Sequence, residues 1–316
     1  MKDRKNKILV CVDQSYWGYY TLFGSVYEFQ RTCPAEAAAW IKDPEEVDQH
    51  NLPDLTNCAA FVKILRKFVM KRLETIDWHL KQHFQEQIDI SDGIDFVFAL
   101  DDRVTKSFRK DLYPEYKATR HIAKRSYNTY KIQEYILNVL FPELQVEQSY
   151  GYHLVKVPGA EGDDVIATIF RNLGKEYMLN VLIASDRDYL QLDNVHQINL
   201  QGKEVMPIFG DETLTPQDYL LGKIIVGDKS DNIEQVFEKT GEKRALKLIR
   251  DKAELKKRLL EDANAAKQFE LNKKLISFDE IPKELEAQIL EEVNKSLYEN
   301  EVLNAPSMDL RDFMTL

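Results

Sequence analysis

The sequence predicts an α/β fold, a mainly parallel central sheet flanked by helices and followed by a helical C-terminal region. Two observations carry this. Short apolar, β-branched runs alternate with long stretches of helical periodicity, which is the pattern of a parallel sheet wrapped by helices. The alternation then stops near Gln201. The first strand is expected at Ile8 to Val12, followed by a helix from about Cys58 to Phe84 with Phe61, Ile64, Leu65, Phe68, Val69 and Leu73 at helical spacing. A second strand falls at Phe96 to Leu100, a helix at Tyr130 to Leu140, and a third strand at His153 to Val157. The helix opening after Gly162 carries Val165, Ile166, Ile169 and Leu173. Strands at Val181 to Ala184 and Gln197 to Leu200 complete the sheet. Residues 201–316 read as helical, punctuated by Pro207, Pro216, Gly227, Gly241 and Pro282, so the division falls into 1–200 and 201–316.

The bulk composition bounds the function classes. With 316 residues, 44% of them hydrophobic and 30% charged, the chain reads as a soluble protein with a sizeable core. It has no apolar run of membrane-spanning length, and its start, with a short apolar run ending in Asp13, does not read as a secretory signal. Three cysteines, Cys11, Cys33 and Cys58, lack metal-ligand spacing and suit a reducing compartment, hence a cytoplasmic protein, or one of the host cytoplasm if viral. No phosphate-binding glycine loop or His-Glu-x-x-His motif is present, and the six histidines read as surface or packing residues. The net charge of −10 hides a segregation: from Arg103 to Lys131 stand nine cations, against only Asp111 and Glu115, a local balance of +7.

The acidic residues are informative by position. Asp13 follows the first strand, Asp101 and Asp102 the second, and Asp186 and Asp188 the fourth, while Glu161, Asp163 and Asp164 open the helix after the third. In a parallel sheet these points share one edge, outside the carboxyl ends of the strands, where such folds place ligands. Each cluster taken singly also reads as an N-cap or helix-dipole partner. Together they would repel one another unless cations neutralise them. An all-oxygen set selects hard divalent ions such as Mg²⁺ or Mn²⁺, and a pair of those ions can drive in-line phosphoryl displacement.

With these residues laid out, the chain resembles the 5′-nuclease family of flap endonucleases and 5′-3′ exonucleases, and within it the phage enzymes of the T-even ribonuclease H type. The resemblance rests on Asp13; on Ser107-Phe108-Arg109 with Tyr113-Pro114-Glu115-Tyr116-Lys117 and Arg120; on Glu161-Gly162-Asp163-Asp164; on Ser185-Asp186-Arg187-Asp188; and on Gly227-Asp228-Lys229-Ser230-Asp231-Asn232-Ile233. It implies a PIN-like nuclease core and a helix-turn-helix-type DNA-binding element running through Gly241 and Lys243. It also implies two Mg²⁺ ions, with Mn²⁺ able to substitute. Asp13, Asp101 or Asp102, Glu161 and Asp163 or Asp164 would hold the first, and Asp186, Asp188, Asp228 and Asp231 would serve the second. Arg109 and Lys117 would stabilise charge on the scissile phosphate. The stretch 103–131 would form a helical arch gripping a single strand through Lys106, Arg109, Lys117, Arg120, Lys124 and Arg125, with Tyr19 stacking on a base. The implied substrates are DNA and RNA–DNA duplexes with a free 5′ end or flap, cut during primer or flap removal by a monomer. A sliding clamp or single-strand-binding protein is the implied partner, the clamp docking at the tail Asn304 to Leu316.

Some positions depart from the family pattern. The glycine usual after the first aspartate is Gln14, the Pro-Gly after Asn-Ile is Glu234-Gln235, and the hairpin glycines shrink to Gly241 behind Lys239 and Thr240. Two other readings compete with the nuclease: a phosphohydrolase of small esters, using Asp186 and Asp188, and a binding module that has lost its chemistry. Trp17, Tyr19 and Tyr20 read first as core aromatics.

Overall fold

The computed structural model describes residues 4–119, 124–147 and 151–303. Its centre is a five-stranded parallel sheet of β1 (Lys7–Asp13), β2 (Gly93–Leu100), β3 (Tyr152–Lys156), β4 (Leu179–Ile183) and β5 (His196–Ile198), ordered β3-β2-β1-β4-β5. All five predicted strands are present. β1 is apolar from Ile8 to Val12 because both of its faces are covered there, as central parallel strands require. Its Ile8, Val10 and Val12 point to one side, with α1 (Gln14–Thr32), α3 (Ala59–Ile90), α5 (Thr129–Tyr135) and α6 (Phe141–Glu147). Leu9 and Cys11 point to the other, where α7 (Gly162–Leu173) and α12 (Lys283–Leu303) pack. Trp17 lies in the first layer, fully buried, with its ring edge-on to Phe98 and Phe141 at 5.5 Å each.

Four differences from the expected elements are instructive. The nineteen-residue α1 was not anticipated, and a short α2 (Pro34–Trp40) follows it. The helix expected to end at Leu140 passes through a π-helical turn, Ile136–Leu140, and runs on as α6, because Phe141 and Leu144 still have core to fill. Beyond Gln201 the strand pattern does not vanish: β6 (Ile208–Phe209) and β7 (Glu212–Thr213) form a small hairpin. Finally, α12 returns from the C-terminal region to the sheet, packing Ile289, Val293 and Leu297 at i, i+4 and i+8 into the α7 layer.

The remaining helices, α8 (Pro216–Val226), α9 (Glu242–Arg250), α10 (Lys252–Glu261) and α11 (Ala263–Ile276), surround a separate apolar cluster of Phe209, Tyr219, Ile225, Ala245 and Leu248. Among the described residues no helix is long and apolar enough to cross a membrane.

Candidate functional site at the carboxyl edge of the sheet

Parallel register brings the strand-end carboxylates together. Asp13 is level with Ala99, two residues before Asp101, and Val12 is level with Ile183, three before Asp186. Asp13 caps α1 by accepting from the Tyr16 amide at 3.0 Å. Ser15 in the next turn donates to Asp101 Oδ2 at 2.6 Å, and the Gly162 amide donates to Asp101 Oδ1 at 2.8 Å. Three segments distant in sequence are thus tied at one point. Burial and the neighbouring charges of Asp101 and Asp186 push the Asp13 carboxyl up to about 6, against the Tyr16 amide, which pulls it down.

At the middle of the edge sits Tyr189, 3% exposed, whose hydroxyl donates to Asp13 Oδ2 at 3.4 Å. Burial first, then the charges of Asp13, Asp163, Asp186 and Asp101, push its phenol well above the usual range. Four carboxylates from four segments therefore act electrostatically on one neutral donor. Only its place directly after Asp186-Arg187-Asp188 marks this tyrosine in the sequence.

The two alternatives left open by spacing separate cleanly. Asp102 accepts from the backbone amides of Val104, Thr105 and Gly159 at 3.2, 3.1 and 2.9 Å. Although burial opposes it, these bonds hold its carboxyl well below the ordinary range, so Asp102 braces a loop while Asp101 faces Asp13. Asp164 is fully buried; its Oδ2 accepts from the Glu161 amide at 3.0 Å, and its Oδ1 lies 2.8 Å from Arg109 Nη1. Asp163, beside it, keeps a buried Oδ1 with no protein donor, and burial together with Asp164 pushes its carboxyl well up despite Arg109.

Arg109 corrects an expectation. It is 2% exposed and donates Nε to the Leu275 carbonyl at 2.8 Å and Nη1 to Asp164 Oδ2 at 3.0 Å. Nε and Nη1 of the guanidinium are thus turned to partners inside the protein, as a buried charge requires. Lys117 stays at the site: its ammonium lies 2.8 Å from Glu161 Oε2 and 3.9 Å from Asp231 Oδ2. Its backbone has φ 58°, a left-handed conformation that costs a lysine about 1 kcal/mol and is fixed by its amide donating to the Asp231 carbonyl at 2.9 Å. The buried Tyr116 hydroxyl adds a bond to Glu161 Oε2 at 3.0 Å. Asp231 accordingly keeps company with Glu161, whereas it was expected among the second group.

That second group is organised by Lys223 of α8, a residue not among the expected site residues. Its ammonium lies 2.9 Å from Asp188 Oδ1 and 2.8 Å from Asp228 Oδ2. Asp186 caps the following turn through the Asp188 amide at 2.9 Å. The signal was available in the spacing, since Lys223 precedes Asp228 by five residues across the turn at Gly227. Gly227 has φ 72°, and a Cβ there would meet the Ile233 and Glu234 carbonyl oxygens at 2.5 Å.

The cationic segment is not a continuous helix. Among the described residues only α4 (Phe108–Leu112) precedes α5, because Pro114 forces Tyr113 into extended backbone. Tyr116 packs with Ile233, Leu275 and Ile276, and Asn232 Nδ2 donates to the Glu115 carbonyl at 3.0 Å. Farther along, Lys124 pairs with Glu45 and the Arg125 amide donates to Gln49 Oε1 at 2.9 Å. Lys106 is exposed and paired with Asp111. Arg120 lies outside the described residues. Lys243, at the start of α9, is largely exposed, 3.8 Å from Asp211. Tyr19 is half-buried under Arg103, which donates to its hydroxyl at 3.2 Å.

Two departures from the family pattern have local explanations. Gln14 Nε2 donates to Gln133 Oε1 at 2.9 Å, and this buried pair fits only because Gly18 is bare: a Cβ there would stand 2.4 Å from Gln133 Oε1. Lys239 keeps φ 55°, so the hairpin turn persists without its glycine.

The donor set suits hard cations, and the unpartnered Asp163 oxygen and the crowded Asp13 provide negative charge for one. Among the described residues, however, no three such side chains converge closely enough to form a finished metal site; Lys117 and Lys223 lie among them.

Fold and site together define a parallel α/β protein with an acidic strand-end site beside a cationic segment. Residues 79–217 match the family described as 5′-3′ exonuclease, N-terminal resolvase-like domain. The chain is 34% identical over 164 residues to the thermostable DNA polymerase I of Thermus caldophilus, covering 51% of this chain and 18% of that protein. It is 28% identical over 159 residues to the 5′-3′ exonuclease of Buchnera aphidicola subsp. Acyrthosiphon pisum, covering 48% of this chain and 52% of that one. The matched segment thus spans about half or less of these relatives' own length. In fold the chain matches the T5 D15 protein co-crystallised with metal ions, with a TM-score of 0.57, 18% identity, and 92% and 98% of the two chains covered. The T5 D15 flap endonuclease in complex with DNA and metal ions gives a TM-score of 0.56 at 16% identity, over 91% and 98% of the chains. Residues 79–217 are thus similar to 5′-3′ exonuclease domains, and the fold is that of the T5 D15 protein.

Proposed function

We propose that the protein is a structure-specific 5′-nuclease, a 5′-3′ exonuclease and flap endonuclease that hydrolyses phosphodiesters near a free 5′ end and removes RNA primers or 5′ flaps during replication. The observation that carries this is the gathering of Asp13, Asp101, Asp163 and Asp186 at the carboxyl edge of the parallel sheet, beside a segment, 79–217, that matches 5′-3′ exonucleases. Two Mg²⁺ ions, replaceable by Mn²⁺, would be held by Asp13, Asp101, Glu161 and Asp163 on one side and by Asp186, Asp188 and Asp228 on the other. When bound, they supply Lewis-acid charge and an acidified water.

The protein's own groups do the rest. Lys117, positioned by Glu161, presents a cation where charge builds on the scissile phosphate. Tyr116 and Arg109 hold that arrangement from behind. Residues 1–200 carry the chemistry, and 201–316 grip duplex backbone through α8, α9 and Lys243 in helix-turn-helix fashion. Lys106, Lys124 and Arg125 attract phosphates of the unpaired strand. The enzyme works as a monomer in the cytoplasm, that of a host if viral, with a sliding clamp or single-strand-binding protein as partner. The tail expected to meet a clamp lies outside the described residues.

The test is incubation with 5′-labelled flap, nicked and RNA-primed duplexes, with Mg²⁺ and with chelator. Metal-dependent release of short 5′ products is expected. Intact substrates alongside turnover of a chromogenic phosphate ester would favour a phosphohydrolase and overturn the reading.

A further inference from the structure

Helix α1 leaves the carboxylate edge with one face buried and the other lined by uncovered aromatic rings. Tyr20, Phe23 and Tyr27 are 37%, 53% and 69% exposed, and Tyr19 stands between them and Asp13. Tyr19, Phe23 and Tyr27 recur every fourth residue, so they form a row along the helix. The Tyr19 and Phe23 rings lie nearly parallel, 5.9 Å apart and inclined by 23°. Packing does not require them, since Trp17, Leu22, Val26 and Phe29 already fill the buried side. Scattered exposed apolar residues are ordinary, but a contiguous row of them signals a contact surface.

The surroundings select the partner. Arg103 lies 5.6 Å over the Tyr19 ring and Arg72 of α3 lies 4.3 Å over Tyr20. Lys67 and Lys71, also from α3, act electrostatically on Glu28 beside Tyr27. Aromatic faces interleaved with cations hold unpaired nucleotides by stacking and charge. An apolar protein partner would not call for this cation border. The row is also continuous with the strand-end site, because α1 starts at Asp13 itself. From Tyr19 to Tyr27 the helix rises roughly 12 Å at about 1.5 Å per residue, room for about three stacked bases at roughly 3.4 Å each.

We propose that the outer face of α1 is a stacking track for unpaired bases of a single strand that reaches or leaves the carboxylate edge. This rests on the nuclease reading for its strand, but its test does not depend on cleavage. The full chain, in chelator so that nothing is cut, is titrated by fluorescence anisotropy against a short labelled oligothymidylate and an abasic strand of equal length. Wild type should prefer the base-bearing strand. Phe23→Ala with Tyr27→Ala should weaken binding of that strand by about five- to a hundredfold, the scale for losing base stacking, and leave the abasic strand unaffected. Phe23→Trp with Tyr27→Trp should restore the preference. Equal binding of both strands by wild type, or an alanine variant that binds oligothymidylate as wild type does, overturns the track. A protein that shows the preference but cuts no duplex would keep the track and lose the nuclease reading.

Discussion

The inner and outer halves of the cationic segment have the same kind of sequence and opposite physics. In the inner half Arg109 and Lys117 are drawn into the protein: Arg109 is sealed against Asp164 and Leu275, and Lys117 sits among Glu161 and Asp231. From Lys124 onward they lie at the surface, and the Lys124 pair with Glu45 is more than half exposed on both sides. Inner cations act through a few low-dielectric contacts, whereas outer ones act through a screened field. Charge counting alone cannot tell these apart, and only burial does.

The largest effect expected concerns the carboxylates that the inner half serves. Asp101→Asn and Asp163→Asn should each lower single-turnover cleavage about a thousandfold or more, the several kcal/mol that metal-assisted charge stabilisation supplies. Asp102→Asn should loosen its loop and leave turnover within about tenfold, since its partners are backbone amides. Equal loss in all three would erase the distinction between site and brace.

Next is Arg109→Ala, which strands the fully buried Asp164. Urea unfolding should show a loss of about 3 to 5 kcal/mol, the scale for breaking one side of a buried ion pair. A variant of unchanged stability but slow cleavage would return Arg109 to the phosphate.

Lys117→Ala should lower turnover by about ten- to a thousandfold with little change in duplex affinity. Cutting at the wild-type rate would remove Lys117 from the site. The smallest effect belongs to the outer half. Lys124→Ala and Arg125→Ala should weaken flap binding modestly and flatten its dependence on log salt by about 0.9 per lost contact. An unchanged slope would mean that Lys124 does no more than bind Glu45.

Much of this was legible in the sequence because it depends on short-range regularities. Apolar runs of strand length gave all five strands, and strand-end positions gave Asp13, Asp101 and Asp186 their common edge. What stayed hidden depends on partners distant in the chain. Whether Asp101 or Asp102 faces Asp13 is settled by Gly159 and Gly162, and the burial of Arg109 by Leu275. Tyr189 was invisible for the same reason: nothing local marks a tyrosine after an Asp pair as the hub of a charge cluster. α1 was missed because its aromatic outer face blurs the two-faced pattern by which helices are recognised.

The strand order has a consequence for how the protein comes into being. β1 lies at the centre of the sheet, between β2, the next strand in the chain, and β4, which leaves the ribosome some 170 residues after β1. Asp13 is therefore made early, yet it waits for Asp163, Asp186 and Tyr189 before its surroundings exist. A nascent chain of half length holds Asp13 and Asp101 and lacks Asp163, Asp186 and Tyr189. Long-range parallel pairing of this kind is slow to form. If the protein is the nuclease proposed, its competence should arrive late and all at once, and incomplete chains should leave nucleic acid uncut.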